Sequence, residues 1–240
     1  MPSVSDLKIK IFADGADYES MMKLYALPFI KGFTTNPTLM RKAGIADYEA
    51  FGRKILAAIP DRPISLEVFA DDFESMEKQA RVIATWGNNV NVKIPVTNTK
   101  GAFSGELIHR LSSEGIVLNV TAVFSLDQVK RVAEALDPAT PAIVSVFAGR
   151  IADTGVDPEP LMKEALGLLS SRPKAELLWA SPRELLNIFH ADRCGTKIIT
   201  VTHDLLAKLS KVGFSLDEFS LETVKMFYND AAASNFAIKI

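Results

Sequence analysis

Eight short apolar runs, rich in β-branched residues, alternate along this chain with segments of helical period, and that rhythm restricts the fold more than any other feature. The runs cover residues 8–14, 30–35, 64–69, 90–95, 116–121, 142–147, 175–180 and 197–201. Helix-like segments lie between them, among them 72–86, 125–136, 157–169 and 181–191, and several open on a good N-cap residue. Eight β/α units in 240 residues predict a (β/α)8, or TIM, barrel, a fold that ordinarily takes about 250 residues. A doubly wound open sheet fits less well. It commonly carries a glycine-rich turn after its first strand, and Asp14-Gly15-Ala16-Asp17 offers a single glycine.

A further helix is expected over 216–234, followed by an apolar tail, 236–240, suited to docking. The predicted fold is thus an α/β barrel with a C-terminal extension helix. No linker tract, low-complexity stretch or longer repeat interrupts the rhythm, so residues 1–240 are read as one domain.

Composition narrows the function. A net charge of −2 without runs of like charge argues against nucleic acid as a partner. No apolar stretch approaches the ~20 residues that span a bilayer, so no membrane role is expected. One cysteine, Cys194, forms no internal disulfide, and residues 1–6 lack a basic-then-apolar leader pattern; a cytoplasmic protein is expected.

The chemistry sits at strand ends. In a parallel barrel the active site is built where the strands finish, so polar residues there are candidates. Lys93, in Asn91-Val92-Lys93-Ile94-Pro95-Val96-Thr97, is the sharpest, because a lysine among apolar β-branched neighbours is costly to bury charged and tends to become a neutral nucleophile. Asp14, Thr34, Thr35, Asn36 and Glu67 end or approach the ends of the first three runs. Asn119 and Thr121 are spaced by two and share one strand face, as do Ser145 and Phe147. Arg150 follows where a guanidinium can grip a phosphate.

Each residue also has a plainer use. Glu67 fits a structural ion pair with Lys93, Asp14 fits a helix cap, and Asn36-Pro37 fits a turn that opens a helix. His190 and Cys194 do not amount to a metal site, and no metal or cofactor is expected.

Over nearly its whole length the chain resembles the transaldolase family, including short members related to fructose-6-phosphate aldolase. The resemblance rests on Thr34-Thr35-Asn36-Pro37-Thr38, Val92-Lys93-Ile94-Pro95-Val96-Thr97, Leu118-Asn119-Val120-Thr121-Ala122-Val123-Phe124-Ser125 and Ser145-Val146-Phe147-Ala148-Gly149-Arg150, in order on consecutive units. It implies that Lys93 forms a Schiff base and that Asp14 takes the C4 hydroxyl proton. It also implies that Glu67 and Thr121 position a catalytic water, while Asn36, Asn119 and Ser145 hold a dihydroxyacetone unit and Thr35 belongs to the substrate-binding residues. Glu67 and Phe147 match the transferases, whereas the aldolases typically carry Gln and Tyr there. The implied activity is cofactor-free transfer of dihydroxyacetone from a ketose phosphate to an aldose phosphate. The alternatives are a class I aldolase of the fructose-6-phosphate type and a sugar-phosphate binding protein without turnover.

At the seventh run the family's Ser-Phe-Arg/Lys phosphate motif corresponds to Leu178-Trp179-Ala180, which lacks hydroxyl and cation. Arg183, in the first turn of the next predicted helix, is the expected substitute, with Trp179 stacking on a sugar face. Sugar phosphates are the implied small-molecule partners. The resemblance also implies a homo-oligomer, a pentamer or decamer.

Overall fold

β-branched and aliphatic runs become strands where the sequence places them. In the computed structural model, which describes residues 4–234 and 236–238, eight parallel strands close a barrel in chain order. They are β1 (Lys10–Asp14), β2 (Ile30–Thr34), β3 (Ile64–Glu67), β4 (Val90–Pro95), β5 (Leu118–Val123), β6 (Ala142–Val146), β7 (Ala175–Trp179) and β8 (Ile198–Thr202). The expected (β/α)8 architecture is present, and strand limits match the predicted runs to within two residues.

The connecting helices are α1 (Tyr18–Tyr25), α2 (Pro37–Lys42), α3 (Tyr48–Ala58), α4 (Phe73–Ala84), α5 (Gly105–Ser113) and α6 (Leu126–Ala135). After these come α7 (Ala148–Ala152), α8 (Pro158–Leu168), α9 (Leu186–Arg193) and α10 (His203–Leu206). Most longer helices begin on a side-chain cap: Asp17, Asp47, Asp72, Ser125 and Asp157 each accept a backbone N–H of the first turn. The helix predicted over 181–191 instead starts at Leu186. Ser181 has φ 61°, a left-handed conformation that no helix continues through, and Pro182 follows it.

Aliphatic side chains fill the space between sheet and helices. Ile55, Met76 and Leu107 on the helices and Leu66 and Ile94 on the strands are fully buried, each contributing ~1.5–3 kcal/mol of transfer free energy. Inside the barrel Phe12, Ile143, Leu178 and Ile198 pack as one cluster near the amino end. Gly32 makes room there, since a Cβ at that position would come within 2.6 Å of the Phe12 ring.

By its internal contacts the chain groups into two compact units. Lys8–Ala207 forms the barrel. The other unit combines the chain from Lys208 onward with the segment ahead of Lys8. It contains α11 (Leu216–Ala233), capped by Ser215, with Phe214 packed edge-on against Phe219. This is the helix expected over 216–234. It has no buried residue, and Leu221, Val224, Phe227 and Tyr228 are exposed. Of the apolar tail, Phe236, Ala237 and Ile238 are exposed, while residues 239 and 240 lie outside the described residues. Among the described residues no helix is long and apolar enough to cross a membrane.

Candidate active site

Parallel pairing places the ends of the strands side by side. Asp14 pairs with Thr34, Glu67 with Lys93, and Lys93 with Asn119, so a carboxylate, an amine and an amide come together from separate units. They meet at a cavity of about 530 Å³. Asp14, Glu67, Lys93 and Thr121 line it, with Asn36, Ser145 and Phe147 on the same wall and Arg150 and Arg183 at the cationic side.

Lys93 is buried at 7 % exposure. Its neighbours Val92 and Ile94 point the other way into the helix-facing core, which leaves the lysine inside the barrel. Nζ donates to the Thr35 carbonyl at 3.0 Å and lies 3.0 Å from Glu67 Oε2. The ion pair allowed for Glu67 is therefore present. It lines a cavity rather than filling the core, so both partners face the space a substrate would enter. The phenol of Tyr48 donates to the Glu67 carbonyl oxygen at 2.9 Å and anchors that strand end, and burial makes it a weaker acid than a free tyrosine.

Asp14 belongs to the barrel wall and not to a helix cap; the cap of α1 is Asp17. Its Oδ1 accepts the Thr34 hydroxyl at 2.7 Å, and Thr34 in turn contacts the hydroxyl of Thr200 on the strand at the other side of β1. Loss of solvent pushes the Asp14 carboxyl above the ordinary range, against the pull of Lys93 and of the Thr34 hydrogen bond. Such a carboxyl can exchange protons nearer to neutral pH than a surface aspartate.

Beneath this ring, buried polar side chains satisfy one another. Ser145 donates to Asn119 Oδ1 at 2.7 Å, Asn119 Nδ2 donates to Ser65 Oγ at 3.0 Å, and the Thr35 hydroxyl donates to the Ser65 carbonyl at 2.8 Å. Thr35 and Asn119 are fully buried below the cavity wall, so their contribution is support of the residues that reach it. Thr121 differs. Its buried hydroxyl has no partner among the described residues and faces the cavity. The backbone there is distorted: Ala122 has φ 59°, and the β5–β6 register shifts between Val120 and Val123. Asn36 does two things at once, capping α2 through Leu39 N at 3.0 Å while lining the cavity.

The structure corrects the reading of the seventh strand. Trp179 has no exposed surface and does not line the cavity, because it points from β7 into the core; it is not placed to stack on a sugar. The hydroxyl and cation sought at Leu178-Trp179-Ala180 come three residues later, where Ser181 and Arg183 line the mouth. Arg183 sits in the loop ahead of α9 rather than in its first turn. Its guanidinium is clasped by Asp153, with Nε at 2.9 Å from Oδ1. Arg150 lies on α7, its guanidinium carbon 5.3 Å from the centre of the Phe147 ring.

Gly149 permits this approach of α7 to the loop, since any Cβ there collides with the Ser181 carbonyl oxygen. Thr34, a strand-end candidate from the sequence, lines the cavity too, as do Lys42, Ser181 and Thr200, which were not selected by sequence. Thr200 carried an available signal, as a hydroxyl near the end of an apolar run. His190 and Cys194 lie elsewhere, beside Glu159, where burial pushes the Cys194 thiol up to about 11. Among the described residues no cluster of three or more metal-binding side chains occurs.

The model of the transaldolase/fructose-6-phosphate aldolase family matches residues 11–238. A probable transaldolase of Dehalococcoides mccartyi is 38 % identical over 202 residues, covering 84 % of this chain and 90 % of the relative. One from Methanococcus maripaludis is 37 % identical, covering 84 % and 89 %, and probable transaldolase 2 of Listeria monocytogenes is 34 % identical, covering 84 % and 88 %. Among solved structures, a dihydrodipicolinate synthase from Rhodopseudomonas palustris superposes with a TM-score of 0.56 at 15 % identity, covering 93 % of this chain and 79 % of that one. A 2,3-dimethylmalate lyase gives 0.57 at 12 %, covering 98 % and 86 %. Those two likenesses speak to the barrel alone. The family match and the relatives go further: this chain belongs to the transaldolase/fructose-6-phosphate aldolase family.

Proposed function

We propose that the protein transfers a dihydroxyacetone unit from a ketose phosphate to an aldose phosphate through a Schiff base on Lys93. The observation that carries this reading is a buried amine in a cavity wall, 3.0 Å from a carboxylate and sharing that cavity with a second carboxyl of raised proton affinity. The unprotonated Lys93 nitrogen attacks the C2 carbonyl, and Glu67 is close enough to receive the proton the amine must lose. Loss of the C2 oxygen as water leaves an iminium. Asp14 then takes the C4 hydroxyl proton, the C3–C4 bond breaks, its electron pair passes into the enamine, and the first aldose leaves.

The same steps in reverse join the enamine to the acceptor aldehyde, and water positioned by Glu67 and the unpartnered Thr121 hydroxyl hydrolyses the iminium. Asn36 and Ser145 hold the three-carbon unit, supported by Asn119 and Thr35. Arg150 and Arg183 bind the phosphate. Glu67 and Phe147 favour transfer over release, because Phe147 has no hydroxyl to assist water.

No cofactor is needed for these steps. The exposed apolar side chains of α11 support a homo-oligomer, which sedimentation velocity tests directly. Borohydride added with fructose 6-phosphate is expected to fix a three-carbon adduct on Lys93, read by peptide mass. An unmodified Lys93 across ketose donors defeats the proposal. Release of dihydroxyacetone without acceptor at the rate of transfer would select the aldolase instead.

A further inference from the structure

Histidine 203 stands beside the reacting carboxyl without having entered the chemistry. Asp14 pairs with Thr202 in the β1–β8 ladder, so the next residue along the chain comes over the turn that follows β1. The His203 ring lies against that turn: a methyl placed on Gly15 would come within 2.7 Å of Nε2 and 3.1 Å of Cε1. Glycine at position 15 is what lets the ring settle there. Nε2 is closed off from solvent and has no hydrogen-bond partner among the described residues. A buried ring nitrogen left open in this way calls for an explanation.

The charged groups acting on the ring come from three elements. They are Asp14 at the end of β1, Asp17 at the N-cap of α1, and Asp204 beside it on α10. The Asp17 carboxylate already accepts the Ser20 backbone N–H at 2.8 Å. Burial pushes the imidazole below its ordinary range while the three carboxylates oppose that shift. From the other side, Asp14 feels Lys93, Glu67 and the Thr34 hydroxyl as well as the ring.

We propose that His203 is a positioning residue for the acid/base carboxyl, acting through its charge on the proton affinity of Asp14. The inference rests on the reading of Asp14 as the base for the C4 hydroxyl. A proton on the ring favours the Asp14 carboxylate, and a proton on Asp14 favours the neutral ring. The two titrations are therefore linked. Where the ring carries its proton it holds Asp14 ionised, which extends base function to lower pH than a lone buried aspartate allows.

Two experiments test this. The first follows the His203 ring by nitrogen NMR against pH, without substrate, in the wild type and in Asp14→Asn. Removing the carboxylate is expected to lower the ring's titration point by about one unit, the scale of a nearby opposite charge. An unchanged titration point overturns the proposal. Because this readout needs no turnover, it stands or falls separately from Schiff-base chemistry, whose own failure shows as an absent borohydride adduct.

The second compares the pH profile of kcat in His203→Gln and Gly15→Ala, the latter displacing the ring without deleting it. Both acid limbs are expected to move up by about one pH unit while KM at the alkaline plateau stays within about twofold. Profiles that superimpose on the wild type in both variants overturn the proposal, as does an equal fall in kcat at every pH.

Discussion

At the carboxyl ends of the strands the barrel holds Asp14, Glu67, Lys93 and Thr121 around a cavity of about 530 Å³; at the amino ends a second cavity of about 430 Å³ is lined by Lys10, Phe12, Lys31, Ile143, Lys174 and Glu176. Both mouths carry lysine and glutamate, and the difference lies in how these are held. Lys93 and Glu67 are drawn out of bulk water into a shared wall. Lys10 and Glu176 pair at 2.8 Å with side chains half and one-third exposed, Lys31 donates to the Pro28 carbonyl at 2.7 Å, and Lys174 to that of Ala139 at 2.6 Å. Charge alone thus says little. Desolvation, together with an unspent hydroxyl at Thr121, separates the carboxyl-end mouth from the amino-end one.

The sharpest way to break that contrast is Lys93→Met. It is expected to remove the borohydride adduct and to lower kcat by more than about 10³-fold in a coupled transfer assay. Asp14→Asn comes next. It keeps the amine, so the imine should still form, but borohydride should now fix the whole uncleaved ketose donor on Lys93, while turnover falls by about 10²–10⁴-fold. That split between imine formation and carbon–carbon cleavage distinguishes the two residues. An Asp14→Asn variant with normal turnover would move the acid/base role elsewhere.

Gly149→Ala tests the cationic side of the same mouth. The added methyl meets the Ser181 carbonyl, so the loop bearing Ser181 and Arg183 has to move away from Arg150. KM for a phosphorylated donor is expected to rise by about tenfold while kcat changes less, because the lost contacts are to the phosphate and not to the reacting carbons. Unphosphorylated dihydroxyacetone should show no such change.

Strand positions were readable because a parallel barrel repeats one simple pattern, an apolar run and then an amphipathic helix. β4 agrees with its predicted limits throughout, for 90–95 is bounded by turns on both sides. Period-two spacing also placed Asn119 and Thr121 on one face. Sequence could not show that Asn119 is a support while Thr121 reaches the cavity, since that depends on how far each lies along the barrel axis. The Trp179 assignment failed on a three-residue slip: Ala180-Ser181-Pro182-Arg183 read as a helix start, whereas the left-handed Ser181 turns it into a loop over the mouth. The link between the Thr34 and Thr200 hydroxyls was hidden for a different reason. It bridges the two strands that flank β1 and joins residues 166 positions apart.

Lys10→Met should have the smallest effect and bears most directly on the comparison. The substitution removes the cation from the amino-end mouth and leaves Glu176 partly exposed, free to be solvated. An exposed pair of this kind contributes about 0–1 kcal/mol, so the denaturant midpoint is expected to move little. The adduct, kcat and KM should stay at wild-type values, because a charge at that rim shares no hydrogen bond with the Asp14–Thr34–Thr200 chain. A loss of activity approaching that of Asp14→Asn would mean that the amino end acts on the reaction through the barrel interior, and the division of labour between the two mouths would have to be abandoned.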